Sequence, residues 1–183
     1  FEMITGVEVV VDDTPGMVML SGFDPLRREV AKNTLDKLVV DGRIHPGRIE
    51  EVYEKVLQDV DEMIRESGSK AAFDLGIHDM AETLLELLGK LRFHTSYGQN
   101  LLAHSKEVGL LAGMMAESLE LDITLARRAG LLHDIGKALG SEQGNDPTQS
   151  GAALARMWGE VGDVVRVIEA LSNGARTRAA VGA

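Results

Sequence analysis

The sequence predicts a mainly α protein, a helical bundle preceded by a small α+β module. Two short apolar, partly β-branched runs flank a turn cluster near the N-terminus, and from residue 48 onward apolar residues recur at helical spacing. Glycine, aspartate and proline break that pattern at intervals suited to helix ends.

Each element follows in order. Val7-Glu8-Val9-Val10-Val11 and Met17-Val18-Met19-Leu20 read as strands joined through Asp12-Asp13-Thr14-Pro15-Gly16, hence a hairpin. Asp24-Pro25 supplies an N-cap and a first-turn proline, and Leu26, Val30, Leu35, Leu38 and Val39 carry a helix to Asp41-Gly42. After His45-Pro46-Gly47, the residues Ile49, Val52, Tyr53, Val56, Leu57, Val60, Met63 and Ile64 form one apolar stripe, expected to end at Ser67-Gly68. The acids opposite that stripe read as a solvated face. Further helices are expected over 70–90, 98–119, 122–133, 147–158 and 161–172, with Gly136 ending the fourth of these segments' predecessor. The expected organisation is a strand-strand-helix module over 1–42, a linking helix over 43–68 and a helical domain over 69–183.

Composition bounds the function. With 183 residues and 44% hydrophobic content, the chain can bury one sizeable core, or one core and a satellite. Aromatic residues are only 4%, so Leu, Val, Ile, Met and Ala must fill it. A net charge of −10 opposes a broad phosphate-neutralising surface, so any nucleic acid would be held by local features or by metal. With no cysteine, disulfides, thiolate-bound zinc and thiol nucleophiles are excluded. The longest apolar run, Val108 to Ala116, is far short of a membrane span of about 20 residues, so no membrane contact is expected of this segment. A start at Phe1 rather than methionine suggests a piece of a longer protein.

Chemistry concentrates at Leu131-Leu132-His133-Asp134-Ile135-Gly136-Lys137, with His104 upstream on an apolar helix. Neutral imidazole and ionised carboxylate suit Mg, Mn, Fe or Zn. Such an ion acidifies water and stabilises charge on a phosphoryl oxygen, which points to phosphoester hydrolysis. His104 shares its face with Leu101, Val108, Leu111 and Met115, so it is expected to point toward the core; Met114 and Met115 read as core filling. Lys137 reads equally as a phosphate contact or as a cation favourable at a helix C-terminus. His45 reads as a loop residue, His78-Asp79 as a coincidental repeat of the dipeptide, and His94 as a capping or surface residue. Arg92, Arg127 and Arg128 are candidates for a phosphate-attracting patch.

Longer words sharpen the dipeptide. Arg127-Arg128-Ala129-Gly130-Leu131-Leu132-His133-Asp134-Ile135-Gly136-Lys137, with Tyr97-Gly98-Gln99-Asn100-Leu101-Leu102-Ala103-His104-Ser105, resembles the HD-domain phosphohydrolase superfamily and, within it, the bacterial ribonuclease Y family. Phe1 to Pro15 and Ser21-Gly22-Phe23-Asp24-Pro25-Leu26-Arg27-Arg28-Glu29 resemble the later part of that family's KH domain. Asp41-Gly42-Arg43-Ile44-His45-Pro46-Gly47-Arg48-Ile49-Glu50 resembles the connection leaving it, so the likeness runs almost continuously over residues 1–140.

The resemblance implies an incomplete all-helical HD-type bundle after a partial KH-like module, and an endoribonuclease that cuts single-stranded RNA to start mRNA decay. It implies a divalent metal (Mn, Mg or Zn) on His104, His133 and Asp134, with His133, Asp134 and Lys137 in the catalytic machinery. It further implies a homodimer and a cytoplasmic setting, the parent protein being anchored at the inner face of the membrane by a segment outside this chain.

The chain also departs from the family pattern. By the resemblance, the KH GxxG loop that clamps the nucleic-acid backbone would stand just before Phe1, and Pro147 stands where the family places a histidine of a Gly-Ser-His segment. The tail admits two registers. In one, Leu171 and Ser172 replace paired histidines; in the other, Glu169-Ala170-Leu171-Ser172 matches an Asp-Ala-Leu-Ser segment and Glu169 is a fourth ligand. A degenerate HD module acting in dimerisation or scaffolding, and an HD-type nucleotide phosphohydrolase, are the alternative readings.

Overall fold

The computed structural model describes the chain except residues 12–15, 140–146 and 182–183. Its described residues divide into two compact units, 1–63 and 64–183.

In the first unit a short helix α1 (Glu2–Thr5) precedes strands β1 (Glu8–Val11) and β2 (Val18–Ser21). The strands pair antiparallel, Glu8 opposite Ser21 and Val11 opposite Val18, which gives the expected hairpin; Asp12 to Pro15 of its turn lie outside the described residues. Helix α1 is not legible in the sequence, because four residues carry no periodicity. Gly6 closes it in the left-handed region, its N–H donating to the Glu2 carbonyl at 2.8 Å. Helix α2 (Pro25–Asp41) begins as its sequence dictates: the Asp24 carboxylate accepts from Leu26 N at 2.8 Å, with Pro25 at the first helical position. Gly42 ends it at φ 71°. Val7, Val30, Ala31, Leu38, Ile49, Val52, Val56 and Val60 are the buried apolar residues of this unit.

Helix α3 (Pro46–Asp74) runs past its expected end at Ser67-Gly68. The reason is steric: a Cβ on Gly68 would lie 1.8 Å from the Leu85 carbonyl oxygen, and one on Gly89 would lie 1.9 Å from that of Ile64. Gly68 is thus a point of close helix approach to α4 (Glu82–Lys90), not a stop. The segment expected as one helix over 70–90 is therefore the end of α3, a connection, and α4.

The second unit continues through a 3₁₀ turn (Leu91–Phe93) and a two-residue hairpin, β3 (Thr95–Ser96) with β4 (Gln99–Asn100). Helices α5 (Leu101–Ser118) and α6 (Ile123–Leu132) follow, then a 3₁₀ segment (Ile135–Leu139), α7 (Pro147–Met157) and α8 (Gly162–Val181). Gly136 lies buried inside that 3₁₀ segment instead of ending α6. One apolar core joins Leu75, Leu84, Leu88 and Leu91 to Leu131, Leu132, Ile135, Val164 and Ile168. Leu and Ala dominate it, and it holds no aromatic residue. Among the described residues, no helix is long and apolar enough to cross a membrane.

Candidate metal centre

Two capped helices build the site. Tyr97 and Gly98, both at positive φ (50° and 78°), turn the β3–β4 hairpin. Asn100 then caps α5, its side chain accepting from Leu102 N at 3.1 Å and Ala103 N at 3.2 Å. Asp122 caps α6, accepting from Leu125 N at 2.9 Å. The helices meet through small residues: a Cβ on Gly109 would lie 3.0 Å from the Arg127 carbonyl oxygen, and one on Gly130 would lie 2.8 Å from Gly109 Cα. Ser105, Gly109, Gly113 and Ala116 are therefore the buried face of α5 along with Leu101 and Leu102.

This corrects the expected packing of α5. Leu111 and Met115 are 58% and 65% exposed, and Met114 is 62% exposed, so none fills the core. Hydrophobic periodicity puts the larger apolar residues on the inner face, but tight backbone approach selects the small ones.

The crossing brings His104 to His133, which follows the last residue of α6. Their ring centroids are 5.3 Å apart at 69°. His104, His133 and Asp134 each offer a donor atom, all within 4.8 Å of one another, and all three side chains are partly buried. His133 Nδ1 lies 2.7 Å from the Gly130 carbonyl oxygen and can only be its donor, which leaves Nε2 to face Asp134 Oδ2 at 3.4 Å. Lys137, one 3₁₀ turn on, donates from Nζ to the same Asp134 Oδ2 at 2.7 Å.

Burial pushes the Asp134 carboxyl upward, but hydrogen bonds from His133 and Lys137, with their charges, outweigh it and hold the group down at about 2. For His133, burial disfavours the charged ring, yet the bond and charge of Asp134 and the Gly130 carbonyl raise it above its ordinary value of 6.5. Two imidazoles and a carboxylate without a thiolate form a donor set for a borderline or hard divalent ion. The Gly130 carbonyl supplies the orienting partner that histidine ligands ordinarily have.

The other expected site residues lie elsewhere. Glu169, on α8, accepts from Arg156 at 2.5 Å and is not among the converging donors. Of Gly144-Asn145-Asp146-Pro147, the first three are outside the described residues and Pro147 is the first residue of α7. Arg128 is not a surface phosphate contact: it is buried, donating to Glu160 Oε1 and to Asp79 Oδ1, each at 2.5 Å. Arg127 turns toward the Leu75 carbonyl at 3.5 Å, and Arg92 is exposed and donates to Ser67 Oγ at 3.1 Å. Sequence reasoning missed the Asp79–Arg128–Glu160 clamp and the Gly130 carbonyl. A second His-Asp word in the sequence was the signal for Asp79, but its use is structural.

Comparison with known proteins agrees with this geometry. The HD domain model matches residues 101–180. Proteins named Ribonuclease Y match over nearly the whole chain. That of Pseudothermotoga lettingae is 55% identical over 168 residues, 92% of this chain and 33% of its own. That of Aquifex aeolicus is 54% identical over 170 residues, 93% of this chain and 30% of its own. The Thermotoga maritima protein is 56% identical over 168 residues, 92% of this chain and 33% of its own. The chain spans about a third of the length of these relatives. No solved structure matches. An HD-domain match that covers the converging histidines and aspartate, with over half of all positions identical across nine-tenths of the chain, places this chain in the ribonuclease Y family.

Proposed function

We propose that the His104, His133 and Asp134 centre holds a divalent metal, Mn, Mg or Zn, and serves metal-dependent hydrolysis of phosphodiesters in single-stranded RNA. The observation that carries this reading is the convergence of three donors from two helices, with the His133 tautomer fixed by the Gly130 carbonyl. A divalent ion supplies an acidified water and a positive charge for a phosphoryl oxygen. The chain's own residues do the rest. His133 presents Nε2, Asp134 stays ionised, and Lys137, which donates to Asp134, supplies the cation that would meet an incoming phosphate. In this reading Glu169 is an ion-pair residue, since Arg156 already holds it.

The same reading assigns residues 1–42 to a partial KH-type RNA-binding module, 43–68 to a linking helix and 69–183 to the HD domain. It makes single-stranded RNA the substrate, mRNA decay the process and a homodimer the assembly. It puts the protein in the cytoplasm, its parent tethered at the inner membrane face by a segment outside this chain.

Manganese binding by calorimetry and cleavage of a fluorescent single-stranded oligoribonucleotide test it together. Saturable uptake is expected, lost in His133→Ala and Asp134→Asn, with cleavage lost in parallel. No uptake, or uptake unchanged by His133→Ala, overturns the site. A second reading, an HD module kept for dimerisation or scaffolding, is favoured by one observation: only three donors converge among the described residues. It expects weak metal binding and self-association without turnover, so RNA cleavage abolished by Asp134→Ala rules it out.

A further inference from the structure

Helix α5 is apolar on both sides, and a helix of that kind is ordinarily covered on both sides. Its inner side packs on α6 through Gly109 and Gly113. Its outer side carries Leu110, Leu111, Met114 and Met115, exposed by 44%, 58%, 62% and 65%. Residues spaced by three and four share one helix face, so these four form a single stripe about one and a half turns long. Leu119 and Leu121, 64% and 63% exposed, extend the apolar surface beyond the helix end. Contiguous exposure of this kind marks an interaction site.

Charge selects the occupant. Glu107 sits at one end of the stripe and Glu117 and Glu120 at the other; all are exposed, and none joins an ion pair among the described residues. The nearby cation, Lys106, is engaged with Asp74 at 2.5 Å. Acids at both ends, on a chain of net charge −10, repel RNA and anionic lipid and set like charge against like in a second copy of the same face. We propose that the outer face of α5 is a docking surface for a cationic amphipathic helix of another protein, with leucine-like side chains on the Leu110–Met115 stripe and Lys or Arg beside Glu107, Glu117 and Glu120. Methionines suit such a surface because their unbranched, polarisable side chains adapt to the incoming shape.

The test uses the 183-residue chain and a labelled amphipathic peptide of leucine and lysine, about 18 residues long so that it spans α5, followed by fluorescence anisotropy. A leucine–glutamate peptide of the same pattern is the charge control. The Leu–Lys peptide is expected to bind, with roughly tenfold or greater loss of affinity in Leu111→Glu/Met114→Glu. Glu117→Lys/Glu120→Lys leaves the apolar stripe intact and is expected to weaken binding measurably at low salt. Val40→Glu, an exposed apolar position on α2, is expected to change nothing. Absence of binding, equal binding of the leucine–glutamate peptide, or binding unchanged in both double variants overturns the proposal. So does self-association in sedimentation that Leu111→Glu abolishes, because the occupant is then a second copy.

Discussion

Gly109 and Gly130 cross with no side chain between them: a Cβ on Gly130 would lie 2.8 Å from Gly109 Cα and 2.9 Å from Gly109 N. The crossing lies one turn or so from each histidine of the candidate centre, so the helix separation that the glycines allow is also what sets the 5.3 Å approach of His104 to His133. A methyl group at Gly130 meets backbone, which cannot swing aside. Gly130→Ala is therefore expected to destabilise the fold by about 1–3 kcal/mol, the usual cost of overpacking, and to weaken metal uptake by moving the donors apart. Urea unfolding and manganese calorimetry check the two effects, and a variant with unaltered stability and uptake contradicts the stated crossing.

The linked titration of His133 and Asp134 gives a prediction with two signs. Asp134 is held at about 2 against an ordinary 3.8, so its stabilising share is complete above 3.8 and is lost as pH falls from there toward 2. His133 is raised above 6.5, so its share is complete below 6.5 and is lost as pH climbs through the raised value. In the metal-free protein the pair's stabilisation is thus greatest between those windows. Metal prefers the neutral imidazole, so manganese affinity is expected to rise with pH until His133 is deprotonated. Proton NMR of the His133 ring checks it: the midpoint is expected above 6.5 and is expected to fall in Asp134→Asn, which removes the carboxylate charge. A wild-type midpoint below 6.5 contradicts the arrangement.

Arg128 and Glu160 supply a third prediction. The Glu160 side chain is fully buried and its Oε2 has no hydrogen-bond partner among the described residues, while Oε1 accepts from Arg128 and from Val161 N at 3.0 Å. Removing the guanidinium strands a carboxylate in the interior, so Arg128→Met is expected to cost about 3–5 kcal/mol. Replacing both, as Arg128→Met/Glu160→Leu, is expected to recover most of that loss. Asp79 reaches Arg128 from a largely exposed position where solvent screens the pair, so Asp79→Ala is expected to leave stability nearly unchanged. Thermal or urea unfolding of the three variants separates these outcomes.

The caps and apolar periods placed α2, α5 and α6 within a few residues, because Asp24, Asn100 and Asp122 act on the backbone immediately after them. The converging His104, His133 and Asp134 were legible from their words in the sequence. What escaped was long-range: Gly68 looked like a helix end until Leu85 of α4 explained it, and Met115 looked like core because the hydrophobic pattern does not record how closely two backbones approach. Arg128 escaped for a similar reason, since its partners Asp79 and Glu160 are distant along the chain.

Glu120 offers a last, local test. It sits at φ 54°, in the left-handed region, where α5 ends. Leu121 N donates back to the Ala116 carbonyl at 2.8 Å, the long bond of a Schellman cap, whose left-handed position favours glycine. A glutamate there crowds its Cβ against its own carbonyl, a cost of about 1 kcal/mol, and its exposed side chain gives nothing back through an ion pair among the described residues. Glycine removes the crowding but enlarges the freedom of the unfolded chain, which offsets part of the gain. Glu120→Gly is accordingly expected to raise stability by about 0.5 kcal/mol, and Glu120→Val, whose branched Cβ is worse placed, to lower it by about 1 kcal/mol. Matched urea titrations decide it: a loss of stability in Glu120→Gly contradicts the left-handed cap, whereas opposite signs for the two variants are what that backbone conformation requires.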